Sequence, residues 1–269
     1  MPLWRAWADD LLRRGAARRA FEDAGARAEN EHQRMANSIH PTAIVESSVV
    51  LGDGNHIGAY TVIEGDVRIG DGNWIGPHVT IGTPAQYVTE KFEFNGQRAS
   101  GVTIGDRCVL REYVTVHQPS TYRTVVEDDC YFMAYCHISH DTVIRHGVNL
   151  ANNTQIAGFT EIQELANVGL SVVIHQYSTI GAYAMIGMAA VVTKDIPPFS
   201  KAAGNPTRLR GVNTVGLARN GFAPELVERI ADAHRRDALD EIDDEPVAAI
   251  VRRFTERGAA THRPALRHG

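Results

Sequence analysis

The sequence predicts a mainly β protein: a parallel β-helix of triangular coils with a C-terminal α-helical cap and an N-terminal helical extension. Three observations carry this expectation. An unbroken six-residue beat from residue 126 to 197 puts Val126, Phe132, Ile138, Ile144, Leu150, Ile156, Ile162, Val168, Ile174, Ile180, Ile186 and Val192 at one repeating position. Many of these hexads follow the aliphatic residue with Gly or Ala and place a small residue fifth, as in Ile180-Gly-Ala-Tyr-Ala-Met, which is the hexapeptide pattern of a β-helix. After Ile196-Pro-Pro the beat stops and apolar residues recur at helical spacing.

Residues 1–36 are rich in Arg, Ala and Glu and read as one or two helices, with Trp4, Leu11, Leu12 and Phe21 as contact points. A genuine extension and an upstream start are both open. Residues 37–203 form the expected β-helix. Its first block keeps the beat at Ile39, Val45, Leu51, Ile57, Ile63, Ile69, Ile75 and Ile81, and a second piece runs through Ile104, Leu110 and Val116. Breaks in phase between residues 83 and 101, and between 118 and 125, predict two loops leaving the prism, and such loops commonly carry binding contacts. Each flat face needs one large inward side chain and each corner something small. Coils stack at about 4.8 Å, so each backbone N–H and C=O pairs with the coil above or below. Cys108, Cys130 and Cys136 all occupy the small fifth slot and read as compact hydrophobes, with no disulfide assigned.

Residues 204–269 form the expected cap. Proline lacks an N–H, so Ile196-Pro-Pro ends the ladder. Leu226, Ile230 and Ala233 within residues 224–238, and Val247, Ile250, Val251 and Phe254 within 245–257, then recur at helical spacing. The cap covers the last coil's edge, which would otherwise invite strand pairing.

With 43% hydrophobic residues and a net charge of −5, the chain can bury a large core and offers no broad basic surface for nucleic acid. No stretch approaches about eighteen consecutive apolar residues and the start lacks a signal-peptide core, so the expectation is a cytoplasmic protein without stable membrane insertion.

The densest polar cluster in the regular region is Cys136-His137-Ile138-Ser139-His140-Asp141. Eighteen residues move up one coil, so Gly158 lies over His140 and Gln176 over Gly158, while His175 sits beside Gln176. His40, His56, His78 and His146 read as exposed or structural. His137, His140 and His175 converge within two coils beside an acid, and Asp141 is placed to hold the His140 imidazole in one tautomer as a general base.

These residues, together with HISHD, LANNTQIAG, VIHQ, the IPP stop, GNP and the closing GLARNGF, resemble the acyl-ACP:UDP-N-acetylglucosamine O-acyltransferases of lipid A biosynthesis over residues 37–257. The resemblance implies a left-handed coil, although crossover sterics alone favour the opposite hand. It also implies a homotrimer with sites between prisms, where His140 deprotonates a sugar 3-hydroxyl for attack on an acyl carrier protein thioester. Asp141 matches the orienting acid and Gly158 the residue whose N–H faces the oxyanion. His137, His175, Gln176 and Arg219 match substrate-contacting positions. No metal, cofactor or covalent acyl-enzyme is implied, since the acyl-ACP thioester is a co-substrate. Met188 stands where the family sets acyl-chain length, which implies a short or medium chain.

The chain also departs from the pattern. Phe159 replaces a histidine after the oxyanion glycine, Lys91 and Glu93 stand in place of an Asp-x-Lys pair, Asn220 replaces an arginine and Pro206 a histidine. Lys91 supplies the missing cation if the register is shifted. These departures leave the acceptor open. An acyl-CoA or acetyl-CoA dependent transferase acting on another sugar or small metabolite is the alternative, and a non-catalytic trimeric scaffold is a further one. A γ-type carbonic anhydrase fits poorly, because its His-x4-His pair is absent.

Overall fold

The computed structural model describes residues 36–86 and 101–267. The expected N-terminal extension and Lys91 and Glu93 lie outside the described residues. Short strands stack with their copies above and below into three parallel sheets, the faces of a triangular prism. Face one runs from Ser38–Ile39 to Met185–Ile186 and Ser200–Ala203, face two from Ile44–Val45 to Val191–Val192, and face three from Val50–Leu51 to Thr179–Ile180. Register advances by eighteen residues per coil, as in His137↔Gln155 and Gln155↔Val173.

The beat residues from Ile57 to Val192 point inward, and their stacked side chains form a single core column. Polar corner groups reinforce it. Asn73 Oδ1 accepts from Cys108 N–H at 2.7 Å, and Asn55 Oδ1 accepts from Asn73 N–H at 2.9 Å, so buried amides pair with corner donors that face no opposing strand. The three cysteines are buried free thiols, in agreement with the sequence expectation. Both breaks in phase become excursions. The strand Thr80–Thr83 pairs with Thr115–His117, so register jumps by thirty-five residues there, and the strand step from Thr115 to His137 spans twenty-two.

The end of the prism differs in detail from the expectation. The segment after residue 203 begins as β-structure: Ser200–Ala203 turns back into Arg208–Val212, which pairs antiparallel and extends face one. Helices start only at residue 214, because that hairpin first covers the open sheet edge. Helix α1 (Thr214–Arg219) is capped by Asn213, whose Oδ1 accepts from Gly216 N–H, and the sequence reading had not separated it as a helix. Helices α2 (Pro224–Arg235) and α3 (Glu245–Thr261) follow close to their predicted positions. Val227, Ile230 and Ala233 of α2 pack with Val247 and Val251 of α3 on Phe199, Val212 and Leu217. Helix α3 also grips face three: Arg253 pairs with Glu164, and Arg257 Nη2 donates to the Phe159 carbonyl at 2.8 Å.

Candidate active site

The corner between faces two and three carries the predicted strip. Phe159 N–H donates to the His140 carbonyl at 3.1 Å and Tyr177 N–H to the Gly158 carbonyl at 3.1 Å, so the rungs stack as the repeat requires. His140 and Asp141 are both buried. His140 Nδ1 lies 2.8 Å from Asp141 Oδ2. Asp141 occupies the left-handed corner position, φ 57°, and its own N–H donates to Thr124 Oγ1 at 3.0 Å.

The Asp141 carboxylate also accepts from the 118–125 loop. Ser120 donates through N–H at 2.9 Å and Oγ–H at 2.7 Å to Oδ2, while Thr121 and Tyr122 N–H groups donate to Oδ1. Burial alone would raise this carboxyl, but the contact with His140 and the donors of Tyr122 and Ser120 outweigh it and hold the group well below the usual carboxylate range. An ionised carboxylate only accepts, so its partner Nδ1 carries a proton and the Nε2 of neutral His140 carries the lone pair.

Gly158 sits directly on this imidazole. A Cβ at residue 158 would lie 2.5 Å from His140 Cε1 and 2.7 Å from Nε2, so only hydrogen fits. Phe159 is buried beside it, its ring edge-on to His140 at 5.2 Å and stacked on Tyr177 at 4.6 Å. An apolar wall thus stands where the resemblance expected a polar side chain.

His137 lies on face two, with Nδ1 2.7 Å from Thr115 Oγ1, and burial followed by the nearby His140 lowers its pKa. His117, which the sequence reading passed over, packs edge-on against His137 at 4.7 Å. Burial first, then His137 and His140, push it down to about 4, so it is neutral at neutral pH. Its signal in the sequence was a histidine next to the first residue of the second break. Ser120 and Tyr122 were also missed, since loop residues have no phase to place them.

The remaining predicted residues are spread more widely. His175 and Gln176 are exposed on the same corner two rungs up, and Arg263 from the C-terminal tail donates to His175 Nδ1 at 2.8 Å. Arg219 ends α1 on the cap and is exposed. Met188, 70% exposed, follows Met185–Ile186 of face one, so it stands on the corner between faces one and two, away from His140 within one chain. Asn220 caps α1, and the Asn205–Pro206 peptide is cis. Among the described residues, no three His, Cys, Asp or Glu side chains are arranged to hold a metal ion, and no helix is long and apolar enough to cross a membrane.

Residues 195–256 match the family model described as UDP N-acetylglucosamine O-acyltransferase, domain 2. A structure of UDP-N-acetylglucosamine acyltransferase from Campylobacter jejuni is 29% identical with a TM-score of 0.66, covering 80% of this chain and 95% of that one. The corresponding Bacteroides fragilis structure is 26% identical with a TM-score of 0.68, covering 86% of this chain and all of that one, 100%. The chain is thus similar to UDP-N-acetylglucosamine O-acyltransferases in its C-terminal segment and in its fold. Its coil is the left-handed one. An acyl-[acyl-carrier-protein]–UDP-N-acetylglucosamine O-acyltransferase from Burkholderia thailandensis is 42% identical over 137 residues, 50% of this chain and 52% of the relative. The chain therefore spans about half the length of the curated relatives it matches in sequence.

Proposed function

We propose that the protein transfers an acyl chain from an acyl carrier protein thioester to the 3-hydroxyl of UDP-N-acetylglucosamine or a close UDP-amino sugar. The carrying observation is the His140, Asp141 and Gly158 constellation, in which a buried imidazole on an ionised acid lies under a glycine on one rung stack. His140 Nε2 takes the hydroxyl proton as the sugar oxygen bonds to the thioester carbonyl carbon. The resulting oxyanion faces the Gly158 N–H. Collapse breaks the C–S bond, and the imidazolium returns its proton to the departing thiolate. Asp141 stabilises the imidazolium without taking its proton. His137, His175, Gln176, Arg219 and Lys91 are assigned to substrate binding.

The names of the relatives support acyl carrier protein and UDP-N-acetylglucosamine as partners. A homotrimer is part of this reading, and the placement of Met188 and His140 on different corners of one prism supports it, because a neighbouring prism would then bring the two corners together. A cytoplasmic location fits carrier-bound and nucleotide-bound substrates. One observation favours the alternative of a different acceptor or an acyl-CoA donor: the Phe159 and Tyr177 stack makes the wall beside the base apolar.

The test is acyl transfer from acyl carrier protein thioesters to UDP-N-acetylglucosamine, followed by mass spectrometry. His140→Ala is expected to lower turnover by about 10² to 10⁴ while leaving assembly unchanged. A variant rate within a few fold of wild type would remove His140 as the base.

A further inference from the structure

The 118–125 loop spends its donors on one side chain. Asp141 Oδ2 receives Ser120 N–H at 2.9 Å and Ser120 Oγ–H at 2.7 Å and lies 2.8 Å from His140 Nδ1. Oδ1 receives Thr121 N–H at 3.0 Å and the N–H of Tyr122. A carboxylate offers about four lone-pair sites, so this one is saturated. We infer that the loop is a cradle for the orienting acid and that Ser120 is a positioning residue for acyl transfer, acting on His140 through Asp141. The inference rests on His140 being the base.

Three consequences follow from the geometry. Turning the carboxylate would break the loop contacts together, so Oδ2 stays aimed at the imidazole. Four donors besides His140 spread the negative charge, so the acid orients the ring and steadies its charged form without accepting the proton. Gly158 packs against the Nδ1, Cε1 and Nε2 atoms of the ring, so the imidazole is held by a rigid acid and a backbone. Ser120 Oγ is also 3.4 Å from His140 Nδ1, close enough for the hydroxyl to compete for the same proton if Asp141 swings away.

The hydroxyl is the one loop donor to Asp141 that a side-chain substitution removes while the three N–H donors remain, which makes Ser120→Ala the informative change. Without it, Oδ2 is a stronger acceptor for the imidazolium but a less constrained one. The groups around the ring are Asp141 and Tyr122 on its loop side, His137 and His117 on face two, and Arg257, which reaches the Phe159 carbonyl from α3. None of these is altered by the substitution.

The expected result for Ser120→Ala is a fall in kcat of about tenfold with KM for the acceptor within about twofold, and an acid limb of the kcat/KM profile displaced upward by about half a unit. Ser120→Thr, which keeps the hydroxyl, should restore both. Nitrogen-15 NMR of the His140 ring, which requires no turnover, should show the Nδ1–H tautomer in the wild type and a mixture in Ser120→Ala. Ser120→Cys replaces the alanine variant if that protein melts early. An unchanged tautomer and unchanged acid limb overturn the inference, as does a loss that Thr does not rescue. If His140→Ala remains active the base assignment fails, whereas the tautomer comparison still decides whether Ser120 controls the acid.

Discussion

Gly158 shows how much one missing side chain controls at the centre of this molecule. Its backbone has ordinary negative φ, so the glycine is required by space and not by conformation. A methyl group there would meet three ring atoms of His140 within 3.0 Å, the nearest at 2.5 Å. The ring could escape only by leaving Asp141 Oδ2. Gly158→Ala should therefore fold and assemble normally yet lose roughly 10²-fold in kcat, the usual consequence of displacing a catalytic group by about 1 Å. Circular dichroism alongside steady-state kinetics checks this, and near-normal turnover would show that the ring tolerates displacement. Phe159, next in sequence, makes a different contribution: its buried ring packs edge-on against the same imidazole, with the ring centroids 5.2 Å apart.

At the scale of elements, the prism has to end, and Asp195 is part of how it does so. Its Oδ1 accepts from Thr179 N–H at 2.8 Å, capping the last strand of face three beside the single bridge that Ile180 makes to Ile196, and its backbone bridges to Ala265 in the tail. Burial pushes this carboxyl up to about 6, against the lowering effects of the Thr179 N–H, Arg263 and Arg257. The group binds its proton more tightly folded than unfolded. Its stabilising contribution is complete below about pH 4 and is lost as pH rises through about 6. The shift corresponds to on the order of 2 to 3 kcal/mol. Asp195→Asn keeps the acceptor for Thr179 and removes the titration. Its melting temperature should match that of wild type near pH 4 and exceed it at pH 7. Buried neutral His117 works in the opposite sense, with stability present above its ordinary pKa near 6.5 and lost as pH falls through about 4. Only the difference between variant and wild type isolates Asp195, and parallel melting curves across this range would refute its role.

For the whole molecule, corner assignment matters more than sequence separation. His140 and Gly158 lie on one corner and Met188 on another, with face two between them. In the proposed acyl transfer, Met188 would limit the acyl chain from a neighbouring prism. Met188→Gly should shift donor preference toward longer chains in a competition assay, since each additional buried methylene is worth about 0.8 kcal/mol, or roughly fourfold. Unchanged preference in a sedimentation-verified trimer would mean that Met188 is ordinary corner packing.

The six-residue beat was sufficient by itself to determine the prism, its inward column, both excursions and the vertical strip from His140 to Gln176. Period and register are local properties, and a solenoid converts them directly into position. The sequence also marked helices α2 and α3 through their apolar spacing. Tertiary structure decided the rest. Loop residues carry no phase, so nothing in the sequence placed Ser120 and Tyr122 on Asp141. His117 gained its meaning from packing on His137, a contact that loop length sets. The strand Arg208–Val212 formed because an open sheet edge was available to it, a demand made by the finished prism and absent from the segment's own pattern.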